Sequence, residues 1–248
     1  MKISVIVSYC SLDKRFLIPL LRQLLIFSDD IILVYYDHLL NGTPEDNSEI
    51  SEISNYAHGI IKPLALKFTN DHAPRYFHNL ARWEATQLAQ HDCILYLDAD
   101  EIPDGQILRL LSEQNLMSKV DAVDFACYWY FRSSVHQAVQ TEQCGLLINR
   151  DVIKKDLMFT EHERWIYRHQ PNLKYIPLMS NGSTPFLHHF SWVRTKEEML
   201  TKVASWGHRN DKDWVSLIEQ EFSRPFNGTD FVHGYNFRSV SDVFQIGL

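Results

Sequence analysis

The chain has 248 residues, 45% of them hydrophobic and 22% charged, with a formal net charge of -7. That balance suits one globular domain, or a domain with a small appendage, able to bury a core without disulfide or metal staples. The negative charge argues against a nucleic-acid partner, because phosphate binding needs a surplus of Lys and Arg on at least one face, so any phosphate-bearing ligand here needs a local cation.

At the start, "MKISVIVSYCSLD" holds one Lys and a short apolar run that turns polar at Ser8. It lacks the longer apolar region and small-residue cleavage site of a signal peptide. No stretch approaches the roughly 20 apolar residues of a membrane span. Cys10, Cys93, Cys127 and Cys144 are far apart, mostly within apolar runs. They read as reduced core thiols of a cytoplasmic protein, rather than a zinc site or a disulfide framework. Three N-x-[ST] sequons, at Asn41, Asn181 and Asn227, read as Asn-Gly turns.

Strand and helix signals alternate through the first half, which implies βαβ units and a largely parallel sheet. Ile3 to Cys10 is a buried strand. Asp13 to Ser28 is a helix capped by Ser11 or Asp13, with Pro19 marking a kink or a late start. A second strand, Asp30 to Asp37, leads into the polar loop "NGTPEDNSEISE", which has no apolar periodicity. "IIKPLALKF" is a weaker strand, and Ala73 to Gln90 a long helix whose buried face is expected at Tyr76, Leu80, Trp83, Ala85 and Leu88. Next comes "CILYLDADEIPDG", a strand followed by a short helix from Pro103 to Gln114. "AVDFACYWYFRS" and "CGLLINRDV" suggest a hairpin or mixed edge, and "PFLHHFSWV" a late strand. Thr195 and Glu198 form a capping box for a helix that Gly207 is placed to end. A second helix runs from Lys212 to Phe222, and an aromatic tail from Arg224 packs irregularly over the body.

The chemistry concentrates at the acidic strand end. Asp98, Asp100 and Glu101 repel one another at neutral pH unless a cation, hydrogen bonds or solvent takes up the charge. In an open α/β sheet, ligands bind beyond the carboxyl ends of the strands. Carboxylates at i and i+2 of an extended strand project to one side, where both reach one hard ion such as Mg²⁺ or Mn²⁺ bridging to phosphate oxygens. The competing reading is a solvated acidic loop favoured by the start of the following helix.

Taken with "ISVIVSYCSLD", "DDIILVYYD", "NLARWEATQLAQHDCILYLDADEIPDG" and "HHFSWVRTKEEML", this layout resembles the family 2 glycosyltransferases of the GT-A superfamily, whose D-x-D motif holds a metal against a sugar-nucleotide diphosphate. The likeness covers roughly Lys2 to Gly105 and returns near His188. It implies an α/β, Rossmann-like fold with a mostly parallel central sheet flanked by helices, a small mixed β region and C-terminal helices. One domain would span 1–248, with a nucleotide-binding half at 1–105 and an acceptor half at 106–248. The implied activity is metal-dependent transfer, with inversion, of a sugar from a nucleoside-diphosphate sugar to a hydroxyl of a glycan, lipid or protein. Ser8, Tyr9, Asp37, Asn79, Arg82 and Asp98 would line the donor site. Asp98, Asp100 and His189, preferred over His188, would hold Mn²⁺ or Mg²⁺. The family's usual "ED" pair is absent, and "FTEHERW" is the acidic cluster in the corresponding region. Glu161 and Glu163, with Asp156 behind them, are therefore the general-base candidates, or else ordinary charges opening a helix.

Aromatic residues from Tyr128 to Phe131 read as half core and half acceptor platform; Trp165, Trp192 and Trp206 carry the same ambiguity, and Arg209 is a diphosphate-neutralising candidate or a surface residue. Two rivals are a haloacid dehalogenase-like phosphatase using Asp98 as nucleophile and Asp100 as acid, and a non-catalytic domain that binds sugar nucleotide.

Overall fold

Runs of Val, Ile and Leu without interior charge become parallel strands where helices cover both faces of a sheet. In the computed structural model, which describes residues 1–57, 59–179 and 184–248, three of the first four strands follow this rule, and the third strand, which carries Lys62 and Pro63, is the edge strand. β1 (Ile3–Tyr9) lies between β2 (Asp30–Tyr36) and β4 (Cys93–Asp98), with β3 (Ile61–Leu66) outside β2, all parallel. The crossovers carry α1 (Lys14–Leu24), α2 (Glu49–Tyr56) and α3 (Pro74–Leu88). Alternate residues of β1 feed two cores: Ile3, Val5 and Val7 pack with Phe16, Leu20 and Leu24 of α1, while Ile6 packs with Phe77, Ala81 and Ala85 of α3.

Beyond β4 the chain reverses into β5 (Glu101–Pro103) and α4 (Gly105–Glu113), then builds the long hairpin β6 (Ala122–Phe131) and β7 (Ser133–Asn149). After α5 (Lys155–Met158) come β8 (Tyr175–Leu178) and β9 (Leu187–Trp192), α6 (Lys196–Ser205), α7 (Trp214–Phe222) and β10 (Phe237–Ser239). The sheet order is β3-β2-β1-β4-β7-β6-β9-β5, with β8 on β6 and β10 on β7. This is the expected α/β architecture, parallel at its centre and mixed beyond β4. A third core joins Trp129, Phe131 and Trp192 to Met199, Trp214 and Ile218 under α6 and α7. The tail's Phe226, Phe231 and Phe237 close over Phe131, as expected of it.

Several expectations are corrected. The polar loop contains α2, held by Ile50 and Ile53, which are buried one turn apart. The buried face of α3 is Phe77, Ala81 and Ala85 with polar Asn79, Arg82 and Thr86, while Leu88 is exposed. Asp13 takes the N-cap position of α1, as one of the two expected candidates, but makes no side-chain cap hydrogen bond because it receives Arg194, while Ser11 Oγ donates to Glu45 Oε1 (2.7 Å). Pro103 ends β5 rather than opening a helix; α4 is capped by Asp104, whose Oδ1 accepts from the Gln106 and Ile107 amides, both at 3.0 Å. The capping box of Thr195 and Glu198 is present, and its helix stops at Ser205, before Gly207. The Asn41 and Asn227 sequons form Asx turns onto the Thr43 and Thr229 amides; the Asn181 sequon lies outside the described residues.

One irregularity sets a face. Asp124 pairs with Leu146 but Phe125 pairs with Cys144, so Gly145 is an extra residue in β7, a bulge with φ +67°. A Cβ there would lie 2.9 Å from Leu187 Cδ2 and 3.0 Å from Leu97 Cδ2, so glycine suits both the backbone conformation and the space.

Candidate functional site

β3 and β2 lie to one side of β1 and β4 lies to the other, so the crevice beyond the carboxyl ends of β1 and β4 is the topological switch point. Ser8 and Asp98 are the last register pair there, and the Ala99 amide donates to Ser8 O at 3.0 Å. β4 therefore stops at Asp98. Ala99 and Asp100 turn, and Glu101 pairs with His189 on β9. The expectation that Asp98 and Asp100 share one continuous strand is corrected at this turn. Both still line a cavity of about 360 Å³, together with Ser8, Tyr9, Arg164, His189, Arg194 and Lys202. A second cavity of about 390 Å³, bordered by Arg82, Glu161 and Glu163, shares Asp98, Arg164, His78 and Trp165 with the first.

Fixed cations meet these acids. Asp98 Oδ1 accepts from Arg82 Nη2 (3.1 Å), and its Oδ2 lies 3.4 Å from Arg164 Nη2. Burial by itself would raise the Asp98 carboxyl, but Arg164 and Arg82 hold it well below the usual carboxylate range. Asp100 Oδ2 lies 3.3 Å from Lys202 Nζ and 3.7 Å from Arg194 Nη2, while Oδ1 lies 3.7 Å from His189 Nε2. Burial again opposes its ionised form, and Lys202, His189 and Arg194 outweigh it. Glu101 is fully buried: Arg164 donates to both its oxygens, and its Oε2 accepts from the Asp98 amide (2.9 Å). Burial and the Asp98 charge push the Glu101 carboxyl up despite Arg164.

The two neighbouring histidines divide by face. His188 stacks on Phe190 and shares a 2.7 Å hydrogen bond with Tyr130 Oη, and burial lowers its pKa to about 4. His189 points toward Asp100. Burial would lower its pKa too, but the Cys127 thiol and the Asp100 and Glu101 carboxylates raise it to about 10.

Asp98, Asp100 and His189 do not fit a hard divalent ion as a set. Arginines occupy both oxygens of Asp98, and Lys202 and Arg194 stand beside Asp100. Among the described residues, the one group of three His, Cys, Asp or Glu side chains whose ligand atoms gather within 4.8 Å of one another contains no carboxylate. The charge that a metal would have balanced is balanced by side chains.

Of the other predicted residues, Ser8 and Tyr9 line the first cavity; Ser8 Oγ is buried without a hydrogen bond, and Tyr9 Oη donates to Glu49 of α2. Arg82 lies at the second cavity, its Nη1 donating to Glu163 Oε2 at 2.6 Å. Asp37 is exposed, its Oδ1 accepting from the Phe68 amide (2.8 Å) and approaching His38, and it lines neither cavity. Asn79 is turned away from them too, donating to Thr160 O at 3.2 Å and so anchoring the segment that carries Glu161 and Glu163. Glu161 is exposed at the second cavity. Glu163, with φ +51°, is held below the usual carboxylate range by Arg82, which outweighs its burial. Tyr128 to Phe131 line neither cavity, and nor do Asp156 and Arg209; Trp165 and Trp206 line both.

The sequence reading passed over Arg164, Arg194, Lys202 and His78. The signal for the cations was present in the acids: three carboxylates at one strand end require positive partners, and "HERW" and "VRTKEEMLTK" supply them. His78 lines both cavities, and burial lowers its pKa.

No family model matches the chain, and no curated protein does. Solved structures with a similar chain path include the glycosyltransferase GlyE in Streptococcus pneumoniae TIGR4, at 17% identity and TM-score 0.45, covering 90% of this chain and 64% of that one. S. aureus TarS 1-349 in complex with UDP-GlcNAc aligns at 14% identity and TM-score 0.49, covering 90% of this chain and 73% of that one. A putative glucose-1-phosphate thymidylyltransferase from Bacillus anthracis aligns at 10% identity and TM-score 0.46, covering 77% and 90%. At identities this low, only a loose likeness of chain path is shared.

Proposed function

We propose that this protein is a glycosyltransferase that moves a sugar, with inversion, from a nucleoside-diphosphate sugar to a hydroxyl of a glycan, lipid or protein acceptor. The observation that carries this reading is the cavity at the β1/β4 switch point, walled by buried acids and by Arg164, Arg194 and Lys202. Departure of a nucleoside diphosphate develops negative charge, which preorganised cations in a water-poor site stabilise. Lys202 and Arg194 are placed for that task, because Asp100, at 3.3 Å and 3.7 Å, holds both at the cavity wall. The acceptor takes the second cavity, where Asp98 and Arg164 form the shared border.

Inversion also requires a base for the acceptor hydroxyl. Glu163 is engaged by Arg82 with a lowered pKa, which weakens it as a base; Glu161 lies 4.0 Å from His162 Nε2 and is exposed. His78, which lines both cavities and whose pKa burial lowers, is the third candidate.

Calorimetry with a panel of nucleoside-diphosphate sugars tests the donor site. Wild type should bind one of them, and Lys202→Met should weaken that binding about tenfold or more, the size of one lost charge-assisted contact. Turnover of His78→Asn, Glu161→Gln and Glu163→Gln then separates base from bystander. If no sugar nucleotide binds and p-nitrophenyl phosphate is hydrolysed, the phosphatase rival replaces this reading.

A further inference from the structure

The transfer chemistry makes no use of two thiols that the fold brings beside His189. Residues paired across a ladder share a face. Cys127 of β6 lies two residues from Trp129, which pairs with His189 of β9, so Cys127 and His189 share one face of the sheet. Cys144 reaches the same face through the bulge. Counted back from Leu146, which packs in the core under α3, a regular strand would turn Cys144 to that side as well. The extra residue Gly145 turns it to the opposite core, where it lies with Leu147 and Cys127.

The consequence is a cluster of two sulfur atoms and one imidazole nitrogen, all within 4.8 Å of one another. A tetrahedral zinc shell, with Zn–S of about 2.3 Å and Zn–N of about 2.0 Å, places its ligands about 3.5 to 3.8 Å apart, so closure needs a contraction of at most about 1.3 Å. Thiolate and imidazole donors select zinc over magnesium or manganese. Nδ1 of His189 is buried without a hydrogen bond, which is costly for an imidazole with no further role. Cys127 and Cys144 are both buried, and Cys144 and His189 also line the cavity at the switch point.

We propose that Cys127, Cys144 and His189 bind one Zn²⁺, whose fourth position opens into the cavity and takes water or an oxygen of a bound ligand. Three protein ligands with an open fourth place are the arrangement of a zinc ion acting as a Lewis acid, not of a closed structural site. The site reassigns His189 from a hard-ion shell to a soft one. It does not depend on the donor being a sugar nucleotide.

The test uses the full chain, reduced, stripped with a chelator and titrated with Co²⁺ and then Zn²⁺. The expected result is one equivalent of Co²⁺ bound with a thiolate-to-cobalt charge-transfer band, which Zn²⁺ bleaches. Cys127→Ser and Cys144→Ser should each lose the band while circular dichroism shows them folded, and Cys93→Ser should keep it. A second measurement needs no variant: Zn²⁺ should protect Cys127 and Cys144, but not Cys10, from alkylation read by mass spectrometry. Folded wild type without the band, a band that survives in Cys144→Ser, or a Cys127–Cys144 disulfide with no zinc bound after reduction would each overturn the site. These readouts involve no nucleotide, so they stand or fall apart from the transfer reaction.

Discussion

The residues before β6 and those after it bring opposite charges to one cavity. Asp13, Asp98, Asp100 and Glu101 come from the first part of the chain, and Arg164, Arg194 and Lys202 from the second. Arg82 and Glu163 form one pair with the polarity reversed. Apart from Arg82 with Asp98, these contacts cross from one part to the other, so neither part balances its own charge here. The sheet itself runs on from β4 into β7.

Arg164 joins the two parts most tightly, since it meets both Asp98 and Glu101. Arg164→Met leaves Glu101 and one oxygen of Asp98 without a cation, and removing one partner of a buried pair costs about 3–5 kcal/mol. Urea unfolding should show a loss of that size, partly recovered when Glu101→Gln is added; a loss below about 1 kcal/mol would mean that the pairing is no tighter than a surface one. The next effect appears in acid. His188 is held neutral in the fold, with a pKa of about 4. The unfolded chain takes up that proton near pH 6.5, so stability is present above about 6.5 and falls by about 3 kcal/mol as pH drops to about 4. His188→Phe should flatten that window. Asp98, lowered in the fold, acts below it: its stabilisation is present above about pH 4 and is lost as pH falls further. Urea midpoints between pH 7 and 3 separate the two contributions. Gly145→Ala should cost about 1–3 kcal/mol, because a side chain at φ +67° is strained and crowds Leu187 and Leu97. The smallest effect is Thr195→Ala, about 1 kcal/mol, as the capping hydroxyl of α6 is lost. Because α6 carries Lys202, the same variant sharpens the comparison if its thermal midpoint falls while sugar-nucleotide affinity is kept.

The parallel centre was legible because a strand covered on both faces is a near-continuous apolar run, and "ISVIVSY" and "CILYLD" are, apart from two serines and the terminal Asp98. The cap of α6 was legible for another local reason, since Thr195 and Glu198 satisfy each other's backbone amides within one turn. α2 was not, because only Ile50 and Ile53 mark its buried side and its other residues favour water. The outward arm of β7 was hidden likewise, being polar and partly exposed from Val139 to Gln143. In the site, Asp98 and Asp100 stood out because adjacent charges are visible in one dimension. Their partners Arg164, Arg194 and Lys202 are separated from them by the whole hairpin, and nothing local in those arginines or that lysine states which acid they will meet. The thiols are free, and three of the four are buried, as expected, but the meeting of Cys127 and Cys144 was hidden for the same reason: spacing in the chain hides a bulge that sets their face.

Proline in β5 has a meaning for the sheet's border, not for a helix start. β3, β5 and β8 each pair along one side only among the described residues, and they contain Pro63, Pro103 and Pro177. The remaining one-sided strand, β10, is 3 residues long. An unpaired strand border is a template on which another polypeptide can add, and a residue without an amide hydrogen interrupts that template. A ten-stranded sheet would otherwise be exposed to growth at its borders. Here three of the one-sided strands carry such a residue, and the one in β5 lies two positions from Glu101 of the site.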